Sequence, residues 1–308
     1  MNQLMQEQAI PAIERACRFL LAAQEPDGFW RDYSLPPGPS SEWVTAFVGY
    51  ALAGVGYPFA HSEFLTRALI AMRSSCRPSG WGYNSAVATD ADTTSWVVRW
   101  FIRTNTLLPI EPIACLKAYI GPEGGARTFI CDPRYGRWTI EHADVTAVLG
   151  LAMKEVGVED SALEQMREWT LGQRTGDGLW TPFWWTFNAY ATAHMLEFLA
   201  ATGGIPADVV EASRHYLEKK TDSTTAMESA NLLMMALRVG VCSSPWISPL
   251  LGQQRFDGGW PPSRVLKVPD QKTACGDGEA FEDMKGLMST AMAVMALTEL
   301  LENNLDQA

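Results

Sequence analysis

Five glycine–tryptophan turns recur along this chain, each between two stretches whose apolar residues have helical spacing. The turns end at Trp30, Trp81, Trp138, Trp180 and Trp260. The last gap is nearly twice the others, and a copy that has lost both Gly and Trp fits inside it at 218–222. Self-similarity at a regular spacing is typical of arrays of small supersecondary units. The sequence therefore predicts six helical hairpins.

Each turn is preceded by a predicted outer helix and followed by a predicted inner helix. The outer helices are expected near 9–23, 62–73, 109–119, 160–171, 206–219 and 243–252. The inner helices are expected near 41–55, 92–104, 143–157, 188–202, 224–239 and 286–302. No segment shows sustained two-residue alternation, so strands are at most incidental. We expect an all-α fold, a single (α/α)6 barrel over residues 1–308 with its inner helices around a central cavity. An open superhelix of helical pairs is the alternative.

Composition and charge exclude several classes of function. The net charge of −11 argues against nucleic acid as the main partner. Residues 1–8 lack the basic and apolar regions of a signal peptide, and no apolar run is long enough to span a membrane. The six cysteines include no Cys-x-x-Cys pair, which favours free thiols in a reducing compartment. We therefore expect a cytoplasmic protein without a transmembrane segment.

One acidic motif stands where the second inner helix begins. It reads Asp90-Ala-Asp92-Thr93-Thr94, nine residues after Trp81. A single Asp at such a place is ordinary, because Asp caps helix N-termini well and suits the first turn. Two Asp residues followed by two Thr residues, inside this repeat pattern, favour a chemical role.

The turns and the acidic motif together resemble the class II terpene cyclases of the squalene–hopene and oxidosqualene cyclase superfamily. The Gln-x-x-x-Gly-x-Trp form of the turns is seen best at 24–30, 173–180 and 253–260. The acidic motif is similar to the family's Asp-x-Asp-Asp-Thr motif, with Thr93 in place of the third Asp. A single barrel of this length resembles the single-domain type represented by merosterolic acid synthase, which cyclises a prenylated dihydroxybenzoate.

The resemblance implies a protonation-initiated cyclase in which Asp92 is the general acid and Asp90 adjusts its acidity. It implies a small-molecule polyprenyl substrate, first of all a prenylated aromatic precursor of a meroterpenoid. A free prenyl diphosphate, cyclised to a drimenyl or copalyl type of product, is the alternative. No cofactor is expected, with Mg2+ only if the substrate is a diphosphate. Because polyprenyl chains partition into lipid, peripheral membrane contact stays open.

The chemistry of this reaction places two opposing demands on the acid. An alkene is a very weak base, so the carboxyl group must keep its proton at neutral pH. Burial and a neighbouring carboxylate raise an Asp pKa and achieve this. The carboxylate that forms also needs stabilisation, from the helix N-terminus and from a hydrogen-bond donor across the cavity. His142 is the candidate donor, because it precedes the third inner helix at the same rim; a structural role at the helix start is the alternative.

A carbocation needs a cavity that excludes water and presents ring faces, each worth roughly 0.5–2 kcal/mol. Aromatic residues on the inner helices and on the segment before the fourth inner helix are the candidates, although such residues also form ordinary cores. Trp30, Trp138, Trp180 and Trp260 are instead assigned to turn packing. The predicted substrate-binding residues are Trp43, Phe47, Tyr83, Thr93, Trp96, Trp184, Trp185, Phe187, Asn188 and Tyr190.

Two basic loops, 121–137 and 261–285, are candidates for binding the head group of the substrate, or are simply solvated. Within the second loop, Glu279, Glu282 and Asp283 could hold Mg2+ against a diphosphate.

Three other classes of protein share some of these features. A prenyltransferase-like subunit would need zinc ligands such as Cys275 and Asp277, but no His follows His215. An (α/α)6 glycosidase could pair Asp90 or Asp92 with Asp144. A non-catalytic binding barrel would need no acid.

Overall fold

The structure is a computed structural model that describes residues 3–130, 132–158, 160–220, 222–272 and 278–305. Cys131, Cys275 and Asp277, the last two named above as zinc-ligand candidates, lie outside the described residues. The outer helices are α1 (Gln3–Ala22), α3 (Glu63–Ser74), α5 (Ile110–Cys115), α7 (Asp160–Gly172), α9 (Ala207–Lys219) and α11 (Ser244–Gly252). The inner helices are α2 (Glu42–Val55), α4 (Ala91–Arg103), α6 (Ala143–Glu155), α8 (Asn188–Ala201), α10 (Ala226–Val239) and α12 (Leu287–Leu305).

The inner helices form a closed ring. Each contacts the next in chain order, and α12 returns to α2. The outer helices pack against the outside of this ring, as α7 does on α6 and α9 on α10. The prediction of an all-α barrel is therefore confirmed, and the open superhelix is excluded because the ring closes on its first member.

Small residues allow the inner helices to approach each other closely. A Cβ atom added to Gly49 of α2 would lie 2.4 Å from the Trp100 ring of α4. A Cβ added to Gly150 of α6 would likewise lie 2.4 Å from Phe198 of α8. The glycines thus make room for large buried rings on the neighbouring helix, which explains why the inner helices are rich in small residues.

The repeated turns are joined to the inner helices by one recurring pair of hydrogen bonds. The backbone N–H of Trp30 donates to Oγ1 of Thr45 over 2.9 Å, and its indole donates to the carbonyl of Leu20 over 2.6 Å. The same arrangement occurs at Trp81, Trp180 and Trp260, with Thr94, Thr192 and Thr290 as acceptors. Trp30, Trp180 and Trp260 therefore serve turn packing, as predicted, and Trp81 does so as well.

Trp138 was wrongly assigned to this set. In the third repeat Ala126 occupies the turn position, and its N–H donates to Oγ1 of Thr146 over 2.7 Å. Trp138 lies farther along the loop, in a short 3-10 segment, and its indole donates to the carbonyl of Pro269. The third repeat has Ala126 where the other four turns have Trp, so the next tryptophan along the chain does not take the turn position.

Two short antiparallel hairpins lie at the N-terminal rim of the inner helices. One joins β1 (Asp32–Leu35) to β2 (Gly38–Ser40), and the other joins β3 (Arg264–Pro269) to β4 (Gly278–Glu282). The second is fixed to the segment before α8, since the N–H of Lys267 donates to the carbonyl of Trp184 over 2.7 Å. Hairpins of this length give no clear periodicity, so their role at the rim was not predicted.

No helix within the described ranges combines the length and the apolar character needed to cross a membrane.

Candidate active site

A cavity of about 380 Å³ opens at the rim where the inner helices begin. Its wall comes from the starts of α2, α4 and α6, from the loops 83–87 and 128–138, and from both hairpins. Among the described residues that line it, the charged groups are all acidic: Asp90, Asp92 and Asp144. The cavity is thus a mainly apolar chamber whose carboxyl groups stand at the N-terminal ends of two adjacent helices, α4 and α6.

Asp92, the predicted acid, is the second residue of α4 and lines the cavity. Burial, followed by the neighbouring charge of Asp90, raises the pKa of Asp92 well above its ordinary value, and the hydrogen bond from Trp43 opposes this rise. That bond runs from the indole Nε1 of Trp43 to Oδ2 over 2.8 Å. The raised pKa favours the protonated form of Asp92, and the Trp43 indole is in place to stabilise the carboxylate that proton transfer would leave.

Asp90 has the capping role that an Asp at this place ordinarily has. Its Oδ1 accepts from the backbone N–H of Thr93 over 2.7 Å, and its Oδ2 accepts from the Thr93 hydroxyl over 2.9 Å. Burial still raises the pKa of Asp90 to about 7, although the two bonds from Thr93 act against it. Asp90 thus fixes the start of α4 and raises the pKa of Asp92. Thr93, which stands where the family motif has a third Asp, serves as the cap's partner.

Asp144 stands in the same position of the next inner helix, second in α6. Its Oδ2 accepts the backbone N–H groups of Phe183 (3.0 Å) and Trp184 (2.8 Å). Burial raises the pKa of Asp144, and the two backbone donors oppose the rise. Asp144 anchors the aromatic segment 183–187 to α6, and its charge is one of those that raise the pKa of Asp92.

His142 lies at the start of α6 but does not line the cavity. Its ring stacks on Phe183 with centroids 3.6 Å apart, and its Nε2 lies 3.1 Å from the carbonyl of Arg137. Burial lowers the pKa of His142 to about 3, so the ring is neutral. The hydrogen-bond donor to Asp92 in this structure is the Trp43 indole, and the surroundings of His142 are those of a structural residue.

Five of the predicted substrate-binding residues line the cavity: Trp43, Tyr83, Thr93, Trp184 and Trp185. Trp43 is central, with ring centroids 6.3 Å from Tyr83 and 6.0 Å from Trp185. The indole of Trp184 donates to Oγ1 of Thr128 over 2.8 Å, which fixes one wall.

The other five predicted residues do not line the cavity. Phe47, Trp96 and Tyr190 are fully buried beneath its floor, where Phe47 packs on Trp96 and Tyr190 stacks on Trp185 with centroids 4.1 Å apart. Phe187 and Asn188 are half-buried at the start of α8. Helical spacing shows which residues share the inner face of a helix, but it does not show which of them line the cavity and which lie one helical turn below it.

Several lining residues were missed because they belong to the short hairpins and to a loop, outside the predicted helices. Leu35 ends β1, Pro36 and Pro37 form the β1–β2 turn, and Leu266 and Val268 come from β3. Phe129, Tyr135 and Trp138 form a stacked aromatic group, with Phe129 and Tyr135 parallel within 10° at 4.3 Å. The aromatic residues of segment 128–138 could have indicated a cavity wall, but the sequence analysis interpreted this loop by its basic residues, as a binding site for the head group.

The residues suggested for a diphosphate are not assembled for that purpose. None of the described lining residues is basic. Asp283 is buried and accepts backbone N–H groups from Ser263 and Ser289, whereas Glu279 and Glu282 are exposed on β4. In the described part of the chain, no group of three or more His, Cys, Asp or Glu residues is arranged to hold a metal ion.

Comparisons with known proteins were made at the levels of sequence family and structure. No protein-family model matches the chain, and no curated protein sequence matches it. Among solved structures, an unliganded variant of the type II terpene cyclase MstE from Scytonema has a TM-score of 0.85 and 25% identity. The alignment covers 98% of this chain and 100% of the other.

Two further MstE variants match with the same coverage and 25% identity. One contains geranylgeranyl dihydroxybenzoate as its substrate, with a TM-score of 0.84. The other contains the product merosterolic acid A, with a TM-score of 0.83. The resemblance to single-domain class II terpene cyclases, predicted from the turns and the acidic motif, is confirmed.

Proposed function

We infer that this chain is a class II terpene cyclase, which starts a cyclisation by protonating a carbon–carbon double bond of a polyprenyl substrate. The observation that carries this inference is the setting of Asp92. A carboxyl group whose pKa is raised by burial, with an indole N–H donating to it, lines a cavity whose other lining residues are mainly apolar and aromatic. A full-length structural likeness to a type II cyclase supports it.

The first step moves one proton from the Asp92 carboxyl to an alkene carbon, leaving a carboxylate and a tertiary carbocation. The Trp43 N–H already points at Oδ2, so it would stabilise the carboxylate without reorganisation. Asp90 and Asp144 supply negative charge nearby, and the faces of Trp43, Trp184 and Trp185 line the space where the cation would migrate. Loss of a proton from the final cation would end the reaction.

A prenylated aromatic compound is the proposed substrate class, as in the MstE complexes. The stacked rings of Phe129, Tyr135 and Trp138 at the cavity wall suit an aromatic head group. A diphosphate fits less well, because the charged groups that line the cavity in the described residues are carboxylic acids. The expected independence from Mg2+ and the expected cytoplasmic location belong to this proposal.

The test uses geranylgeranyl dihydroxybenzoate, geranylgeranyl diphosphate and farnesyl diphosphate, each with Mg2+ and with EDTA. We expect the aromatic compound to be cyclised equally well under both conditions, with no product from Asp92→Asn. If only a diphosphate is cyclised, and only when Mg2+ is present, the substrate is a free prenyl diphosphate and not a prenylated aromatic compound. An Asp92→Asn variant as fast as the parent would remove Asp92 as the acid.

A further inference from the structure

A second cavity of about 220 Å³ lies at the opposite end of the barrel, where the inner helices end. In contrast to the first, it is lined by charged and polar groups, among them Arg103, Glu197, Arg238 and Glu299, and it opens at the exposed Glu302. His194 and Trp96 also line it. Because Trp96 stands one helical turn from Asp92 on α4, only a thin layer of side chains separates the two cavities.

Two inner helices, α4 and α8, each contribute three residues from one face to this layer, and we call these two rows of residues columns. On α4 these are Asp92, Trp96 and Arg99, and on α8 they are Tyr190, His194 and Glu197. Both columns have the spacing i, i+4, i+7, which places three residues on one face of a helix.

The two columns meet pair by pair. The guanidinium of Arg99 binds Glu197 over 2.5 Å, and the Trp96 and His194 rings meet edge to face at 5.6 Å. The Tyr190 ring lies 4.7 Å from the His194 ring, and Tyr190 is near enough to Asp92 for an ionised Asp92 to raise the pKa of the Tyr190 hydroxyl. The column therefore runs from the acid to the polar cavity.

The polar atoms in the middle of the column are buried and unpaired. Within the described residues, the Tyr190 hydroxyl, the Trp96 Nε1 and both His194 ring nitrogens have no hydrogen-bond partner. The Oε2 of Glu197 lies 3.6 Å from Nδ1 of His194, just beyond bonding distance. Oγ1 of Thr298, on the wall of the second cavity, is also unpaired. Each such buried group costs about 1–3 kcal/mol unless water completes its bonds, so a cluster of them indicates ordered water.

We propose that this column is the path by which Asp92 recovers its proton after each turnover, with His194 placing the water molecules that carry it. The inference rests on the proposed function. In each cycle the O–H bond of Asp92 breaks and a C–H bond forms, and the final cation later loses a proton to water. Substrate and product are isomers, so Asp92 must take one proton from the solvent per turnover.

His194 suits such a path in its neutral form. Burial lowers the pKa of His194, and a neutral imidazole accepts a hydrogen bond at one nitrogen while donating at the other. Burial acts to raise the pKa of Glu197, but Arg99 and Arg238 lower it well below its ordinary value, so that Glu197 stays charged and orients the water beside His194. His194 is thus a positioning residue, which never touches the substrate.

The decisive measurement compares the first turnover with later ones in the full-length protein. Enzyme in excess over geranylgeranyl dihydroxybenzoate reports the first turnover, which uses the proton already on Asp92. Substrate in excess reports repeated turnovers, which need the path. For His194→Phe we expect a first turnover within about twofold of the parent and a steady-state rate at least about tenfold lower, since a relay group is typically worth 10²–10⁴. The more polar His194→Asn should recover part of the loss.

Two further readouts separate the path from a structural effect. Proton uptake becomes limiting in His194→Phe, so the solvent deuterium isotope effect on kcat should exceed that of the parent. Ser213→Ala, which removes an unpaired buried hydroxyl on the outer helix α9, should leave both rates unchanged.

If the first turnover and the steady state fall together, or if neither changes, the path through His194 is wrong. If the parent itself forms no product in the first turnover, the proposed function fails instead.

Discussion

Asp92 and Asp144 occupy the same position in adjacent inner helices and line the same cavity, yet they have different partners. Asp144 receives two backbone N–H groups on one oxygen, which fixes the segment 183–187. Asp92 instead accepts the indole N–H of Trp43 and, within the described residues, no backbone N–H, and its neighbour Asp90 adds a second carboxyl group. The position in the repeat places an acid at the rim, and the number of backbone donors decides whether that acid anchors the chain or remains available for proton transfer.

The largest expected effect is on activity, which should depend strongly on Asp92 and only weakly on Asp144. Asp92→Asn keeps an oxygen acceptor for Trp43 but has no acidic proton, so we expect a loss of about 10³-fold, within the usual range for a general acid. Asp144→Asn keeps an acceptor for both backbone donors, and its Oδ1 has no bond to lose among the described residues. We expect less than about a tenfold loss there. Product formation measured by mass spectrometry checks both, and equal losses would break the distinction.

The second prediction concerns stability, for which we expect the substitution of Asp144 to cost more than the substitution of Asp92. Asp144→Ala leaves two part-buried backbone N–H groups without an acceptor, which should lower the free energy of unfolding by about 2–4 kcal/mol. Asp92→Ala leaves only one indole N–H unpaired and removes a carboxyl group that burial disfavours, so its cost should be about 1 kcal/mol or less. Urea unfolding followed by circular dichroism measures both. A larger cost at Asp92 would contradict the anchoring role of Asp144.

The third prediction concerns the single donor of Asp92. Trp43→Phe removes a hydrogen bond to the carboxylate form, so the pKa of Asp92 rises and its acid strength falls. The rate at neutral pH should drop about 10–10²-fold, while the fall in activity at alkaline pH moves to higher pH. Trp185→Phe is the matched control, because it removes ring surface 6.0 Å from Trp43 without touching the bond to Asp92. A similar movement of the pH profile in the control would argue against Trp43 as the donor.

The last expected effect is a pH dependence of stability. The pKa of Asp92 is raised in the folded protein, so the folded state binds more protons than the unfolded state above about pH 4. As the pH rises from about 4 towards the raised pKa of Asp92, the free energy of unfolding of the parent should therefore fall. Asp92→Asn has no proton to lose and should not show this fall.

Melting temperatures of both proteins between pH 5 and pH 9 measure this difference, and each kcal/mol corresponds to about 1.5–2 °C in a domain of this length. A constant difference across that range would mean that Asp92 is ionised in the folded protein.

Much of the site could be located from the sequence because its signals are local. Asp90 and Asp92 stand two residues apart at a helix start, and the turns around Trp30, Trp180 and Trp260 share one sequence pattern. Asp90 was interpreted as a partner of the acid, and the structure adds its capping bonds to Thr93. The proposed role of His142 had no such local support, since a helix start at the correct rim does not fix where a ring points.

The sequence by itself determined the period, the alternation of outer and inner helices and the presence of two acids at one rim, because these depend on residue spacing along the chain. Only the tertiary structure decided which donor reaches Asp92, that Trp138 serves the cavity wall, and that β3 crosses the rim to pair with residues 184–186. Those contacts join residues about 50 to 130 positions apart, as from Trp138 to Pro269, and their geometry is set by packing rather than by any neighbouring residue.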